Sequence, residues 1–209
     1  MPFIEYETKR VLFVHVPKTG GTSIETWMRS IAPLCFHAVG TPNCSKVTPQ
    51  HYTHNDLAQY FPRGWFDYKF TVVRNPYSRI ESEYKMRYIL GVNSLIPAFP
   101  PFGNWTERTL NQAKANPWVL DNHMRPQVQF LGEGIELFRL EEGLESILQR
   151  VAAASGLPPP QQVATDMVSS QFTGEIRWSD YEIDLVQETY ARDFARFGYS
   201  LDIGQRAPM

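Results

Sequence analysis

The stretch that most constrains this chain is Pro17-Lys18-Thr19-Gly20-Gly21-Thr22-Ser23. An apolar run, Val11-Leu12-Phe13-Val14-His15-Val16, precedes it, and Ile24-Glu25-Thr26-Trp27-Met28 follows. That order reads as buried strand, tight glycine turn and helix. Two adjacent glycines permit a sharp turn and let backbone N–H groups approach a ligand. Thr22 with Glu25 three residues on fits a capping box, which places the helix start here. A helix N-terminus carries unpaired N–H groups and the positive end of the helix dipole. Lys18 and the hydroxyls of Thr22 and Ser23 add further donors. The pattern predicts an anion site whose natural guest is a phosphate.

The residue order narrows the phosphate chemistry. A Walker loop places its lysine after the glycines, whereas Lys18 comes before them, so a nucleoside triphosphate kinase or GTPase is disfavoured. No G-x-G-x-x-G occurs, and a Rossmann dinucleotide site has no support. Lys18-Thr19-Gly20 matches the K-T-G of penicillin-binding enzymes, and Ser82-Glu83-Tyr84-Lys85 fits S-x-x-K, but their order is wrong and no S-D-N lies between them. A second segment is decisive. Tyr68-Lys69-Phe70-Thr71-Val72-Val73 reads as a strand ending in Arg74-Asn75-Pro76-Tyr77-Ser78-Arg79-Ile80-Glu81-Ser82-Glu83-Tyr84. Asn75 suits an N-cap and Pro76 a first helical position. Arg74 at the strand end and Ser82 about two turns into the helix make a second phosphate site. Either motif alone could be only a tight turn or a helix start; both at strand ends, in this order, point to a ligand.

Two separated anion sites suit a nucleotide phosphorylated at both ends. At these residues the chain resembles the sulfotransferases that use 3′-phosphoadenosine 5′-phosphosulfate (PAPS). It looks most like their carbohydrate-type branch, with the uronyl 2-O-sulfotransferases and bacterial relatives. The resemblance implies that Pro17, Lys18, Thr19, Gly20, Gly21, Thr22 and Ser23 hold the 5′-phosphosulfate, and that Arg74 and Ser82 hold the 3′-phosphate. It extends to Pro49-Gln50-His51, to His123-Met124-Arg125-Pro126-Gln127 with Phe130-Leu131-Gly132, and to Asp193-Phe194 with Phe197-Gly198-Tyr199. The adenine-contact segment R-K-G-x-x-G-D-W-K of the steroid and phenol enzymes is absent, which argues against that branch and leaves base recognition undefined.

Strands alternating with helices predict an α/β fold with a P-loop-like central parallel sheet flanked by helices, the sulfotransferase fold, with both phosphate sites at the C-terminal edge of the sheet. At 209 residues, residues 1–209 are read as a single domain. Ile135–Leu140 alternates like a strand. Leu144, Ile147, Leu148 and Val151 fall at helical spacing. Thr53 is read as capping a short helix over Asp56–Phe61, and Ser179 with Glu182 as a further capping box. Ile183, Val186, Tyr190, Phe194 and Phe197 are read as a core face. Ser94–Gly103, with three prolines, is expected to be an irregular loop.

Composition sets limits on partners. The net charge of −2 gives no hint of the basic groove that heparan sulfate or nucleic acid would require. A neutral sugar, glycolipid or small hydroxylated metabolite is the expected acceptor, with no nucleic-acid partner. No apolar run approaches a membrane span, and the acidic N-terminus lacks the basic and apolar regions of a signal peptide. Two cysteines, Cys35 and Cys44, fit a reducing compartment, so a cytoplasmic, bacterial enzyme is expected.

Sulfuryl transfer from PAPS leaves 3′,5′-diphosphoadenosine (PAP) and needs alignment and charge stabilisation. The resemblance gives Lys18 and Ser23 the charge growing on the bridging oxygen. The acceptor hydroxyl needs a base, and histidine fits near neutrality. Of the five histidines, His51 is favoured, because resembling enzymes carry a histidine before the 3′-phosphate strand. His123 and His54 follow as alternatives, and His15 reads as a packed residue. Cys35, His37, Cys44, His51 and His54 match no usual zinc spacing, so no metal is expected. An atypical nucleotide or metabolite kinase and a non-catalytic PAP-binding module are the competing readings.

Overall fold

The computed structural model describes residues 1–37, 40–93, 99–163 and 171–205. They divide into two compact units, Met1–Arg74 with Gln129–Thr165, and Asn75–Val128 with Asp166–Met209.

The first unit is built on a four-stranded sheet in the order β1-β2-β3-β4, formed by Phe3–Tyr6, Lys9–Val14, Tyr68–Val73 and Glu136–Arg139. Strands β2, β3 and β4 are parallel, with Val14 opposite Thr71 and Val73 opposite Arg139. Strand β1 departs from the all-parallel expectation: it folds back antiparallel on β2, with Phe3 opposite Leu12. The reason is local, because only Glu7 and Thr8 separate the two strands and so short a connection permits only a hairpin. The apolar run of β2 is buried on both faces. Val11 and Phe13 join Phe70, Val72 and Phe138 under helices α1 (Gly21–Ile31) and α5 (Leu144–Ser155). Leu12 and Val14 face a second layer containing Val47, Tyr52, Leu57 and Phe130. Burial on both sides explains why this strand is continuously apolar instead of alternating. The whole is a mixed α/β fold with its central sheet flanked by helices.

The short helix α2 spans His54–Leu57, two residues earlier than expected, and Thr53 caps it as read: Asp56 N–H donates to Thr53 Oγ1 at 3.2 Å, and Thr53 N–H to the Asp56 carboxylate at 2.8 Å. Pro158–Pro160 has no regular structure.

The second unit is helical. It contains α3 (Pro76–Asn93), α4 (Phe102–Ala115), α6 (Asp180–Thr189) and α7 (Ala191–Phe197). Tyr77, Ile80, Tyr84, Phe102, Trp105, Leu110, Val186, Tyr190 and Phe194 form its core; of the expected core face, Val186, Tyr190 and Phe194 lie in it, Ile183 packs half-buried against it, and Phe197 is buried outside this cluster. Asn75 Oδ1 accepts from Tyr77 N–H at 2.9 Å, which fixes the start of α3. Glu182 accepts from Ser179 N–H at 2.8 Å at the start of α6. Of the loop expected over Ser94–Gly103, residues 94–98 lie outside the described residues, Phe99–Pro101 are irregular and Phe102 already opens α4.

Buried polar groups of this unit hold the segment around His123–Val128. Arg79, almost wholly buried, donates to the carbonyls of His123 and Arg125. Tyr190 donates its hydroxyl to Met124 O at 2.8 Å. The Asp193 carboxylate accepts from Gln127 N–H at 2.8 Å and Val128 N–H at 3.0 Å. Burial holds the Asp193 carboxyl above its ordinary range, although Arg79 and the two amides pull it down. Asp193→Ala strands both amide donors, each a loss of about 1–3 kcal/mol when buried. Chemical denaturation of this variant is expected to show a destabilisation of about 2–4 kcal/mol in total.

Candidate active site

The glycine turn begins where β2 ends. Lys18 adopts φ 71° and Gly20 φ 87°, both left-handed. For a lysine this conformation costs about 1–2 kcal/mol and marks a backbone held for a purpose. Alternating hand along such a turn aims successive N–H groups at one side, which is the geometry of an anion cradle. Thr19 is fully buried and donates its hydroxyl to Val16 O at 2.8 Å, so its side chain is engaged within the turn itself.

The two glycines answer two different needs. Gly20 supplies the left-handed φ at the N-cap of α1. Gly21 has no such φ; instead, a Cβ there would stand 2.0 Å from His15 Nε2, so the imidazole occupies the place of its side chain. The expected Thr22–Glu25 capping box is not formed, and no side chain caps α1. Glu25 turns inward: its Oε1 lies 2.7 Å from His15 Nδ1 and its Oε2 3.3 Å from His37 Nε2. The buried His15 imidazole, with the half-buried His37, recruits the carboxylate more strongly than exposed amides could. The first-turn amides of α1 are thereby left without a carboxylate cap. Thr22 is exposed and Ser23 buried in this turn.

Arg74 directly follows β3, the strand paired in parallel with β2, so the two turns leave the sheet side by side. Its Nη1 stands 3.4 Å from Lys18 O, and both residues are half-buried. Ser82, the partner expected for Arg74, lies on α3 in the second unit and is half-buried.

Each histidine has a defined setting. His51 ends a 3₁₀ turn, Pro49–His51, is 8% exposed, and has Nδ1 3.4 Å from Thr48 Oγ1. Its ring meets that of His15 edge-on, with centroids 5.0 Å apart. His54 packs against Gly132, where a Cβ would stand 2.2 Å from the ring, and burial with Lys69 nearby lowers its pKa. His123 Nδ1 lies 2.7 Å from a carboxylate oxygen of Glu83, which is 1% exposed and also takes Arg87 Nε at 2.8 Å. Among the described residues, no three of Cys35, His37, Cys44, His51 and His54 offer ligand atoms within 4.8 Å of one another. Both cysteines are unbridged.

A family model described as "Sulfotransferase family" matches residues 1–200. The chain belongs to the sulfotransferase family. No curated protein and no solved structure matches it. Membership makes this protein a transferase acting in sulfuryl transfer. Among its described residues, no helix is long and apolar enough to cross a membrane. Two carboxylates of the sulfotransferase escaped the reading of its sequence. Glu25 follows Gly21 by four residues and precedes the buried Met28 by three, so it lies on a core-facing stripe of α1. A charge at such a position needs a buried partner, and that was the available signal. Arg79, Glu83 and Arg87 recur every four residues along α3, a pattern usually solvated, but here Arg79 and Glu83 are buried.

Two outcomes follow from this geometry. Gly21→Ala pushes a methyl group into the His15 ring, and a loss of about 1–3 kcal/mol is expected in denaturant midpoints, partly recovered when His15→Ala is added. Burial raises the Glu25 carboxyl, but His15 and His37 outweigh it and leave it below its ordinary value of 4.5. A depressed carboxyl contributes stability above its unfolded pKa and loses it as pH falls through the folded one. Melting from about pH 5 down to about pH 3 should therefore destabilise the parent protein more steeply than Glu25→Gln.

Proposed function

We propose that this protein is a PAPS-dependent O-sulfotransferase. It moves a sulfuryl group to a hydroxyl of a carbohydrate, glycolipid or small metabolite. The observation that carries the reading is the glycine turn with Lys18 beside Arg74, at the ends of two paired parallel strands. One turn offers backbone N–H groups and an ammonium; its neighbour offers a guanidinium. A donor with anionic groups at its 5′ and 3′ positions answers both, and AMP answers only one. The 5′ end is assigned to Pro17, Lys18, Thr19, Gly20, Gly21, Thr22 and Ser23, and the 3′-phosphate to Arg74. Ser82 keeps its 3′-phosphate role on resemblance alone. The family match covers parts of both compact units, which supports treating residues 1–209 as one working domain.

In the reaction, the bond between sulfur and the 5′-phosphate oxygen breaks as one to the acceptor oxygen forms. The Lys18 ammonium neutralises the charge that gathers on the departing phosphate, with Ser23 and the turn amides sharing it. His51 takes the acceptor's proton. Its burial keeps water away, and an imidazole is the side chain chemically suited to take up a proton near neutrality. A net charge of −2 favours a neutral acceptor over a polyanion.

Titration calorimetry separates this reading from its rivals. PAP is expected to bind well above AMP and ATP. Arg74→Ala should remove about 10- to 150-fold of PAP affinity and leave AMP nearly unchanged. With radiolabelled PAPS and a panel of neutral sugars, Lys18→Ala should lower kcat by about 10²–10³. His51→Ala should lower it by about 10²–10⁴ with PAP affinity retained. Equal affinity for PAP and AMP would remove the donor assignment. Tight PAP binding without transfer to any acceptor would favour a binding module, and phosphoryl transfer from ATP a kinase.

A further inference from the structure

His15 reads from sequence as a packed strand residue, but its one ring touches β2, the glycine turn, α1 and the His51 segment. It stacks on Phe13 of β2, with centroids 5.1 Å apart and planes at 20°. Its Nε2 fills the space beside Gly21 in the phosphate turn. Its Nδ1 lies 2.7 Å from Glu25 Oε1 on α1 and 3.2 Å from the Gln50 carboxamide nitrogen. Its edge meets His51, the next residue after Gln50. Glu25 is itself 7% accessible and holds His37 as well.

We propose that His15 and Glu25 are positioning residues that lock the phosphate turn and the His51 segment into one arrangement. This rests on the PAPS reading of the same site. A phenylalanine at 15 would stack on Phe13 equally well, and a leucine at 25 would suit the buried stripe of α1. Burying a carboxylate with an imidazole is seldom more stable than such apolar packing. What the carboxylate–imidazole contact adds is direction: it fixes the angle of the imidazole about its stacking axis, which apolar contact leaves open. The ring angle in turn sets where Gly21 N–H stands and what the His51 edge rests on. Transfer that depends on alignment is sensitive to displacements of about 1 Å, worth up to about 100-fold.

The test uses the full chain. PAP affinity is measured by calorimetry for the parent, His15→Phe, Glu25→Gln and His15→Asn, beside thermal midpoints. Histidine ring signals are followed by NMR, with His51 assigned by its loss in His51→Ala. His15→Phe keeps the stack and loses the pair, while His15→Asn keeps an N–H close to the Nδ1 position. The expected result is PAP binding weakened roughly tenfold or more in His15→Phe and Glu25→Gln. The His51 signal should shift in both, and His15→Asn should recover most of the affinity. A midpoint change alone, with PAP affinity within about twofold of the parent and His51 unmoved, overturns the proposal. If His15→Phe does not fold, Glu25→Gln decides by the same criteria. A parent protein that fails to bind PAP removes the donor reading itself, and this inference with it; a parent that binds while the variants match it removes the inference alone.

Discussion

The parallel pairing of β2 with β3 is the constraint on which the site depends. Val14, the last residue of β2, lies opposite Thr71, two residues before the end of β3, and Thr71 Oγ1 also donates to Val14 O at 2.8 Å, so the two strands finish close together. Each then turns. Because parallel strands present their C-terminal ends on the same edge, Lys18 and Arg74 emerge as neighbours although 56 positions separate them in sequence. No loop needs to reach across the sheet. The register alone brings an ammonium, a guanidinium and a set of turn amides to one place. A slip of β3 by one residue would invert its buried faces, so burial on both sides protects that register.

Within the turn, residues that look alike by position act differently. Gly20 is there for its dihedral angle and Gly21 for the ring beside it. Thr19 closes the turn on Val16, whereas Thr22 faces solvent. Glu25, placed to cap α1, is drawn inward by two histidines. A side-chain cap would typically add about 1 kcal/mol to the helix. Forgoing it while holding Lys18 in a left-handed conformation means that the turn is not optimised for stability of the free protein. Local conflicts of this kind concentrate where a ligand supplies what the chain withholds.

How much of this could be read beforehand depended on the range of the interaction concerned. The strand–turn–helix units at residues 11–28 and 68–84, the Thr53 cap and the core face from Ile183 to Phe197 were legible because each is written in adjacent residues or in a helical period. The hairpin strand Phe3–Tyr6 was not, since four residues carry too little periodicity to declare themselves. The Glu25–Thr22 box was misread for an instructive reason: the capping pattern is a local preference, and it lost to a buried histidine at position 15 and a half-buried one at 37, which no local rule could weigh. Glu83 and Arg79 were overlooked because an i, i+4 charge pattern is normally solvated, and only the tertiary fold shows that Arg79 instead binds the carbonyls of His123 and Arg125.

The two buried carboxylate–histidine contacts, Glu25 with His15 and Glu83 with His123, raise the question of why charge is kept inside at all. Stability is a weak answer, since well-packed apolar residues of similar volume are commonly as good or better. Both pairs instead sit against backbone that carries motif residues. Glu25 and His15 border the glycine turn; Glu83 fixes the ring of a histidine whose carbonyl Arg79 already holds. Apolar contacts tolerate rotation and sliding of a side chain, whereas a paired, desolvated charge loses several kcal/mol when its partner moves away. Sulfuryl transfer asks little covalent chemistry of the protein and much alignment. An enzyme of that kind gains more from stiff orientation around its binding backbone than from a slightly more stable core.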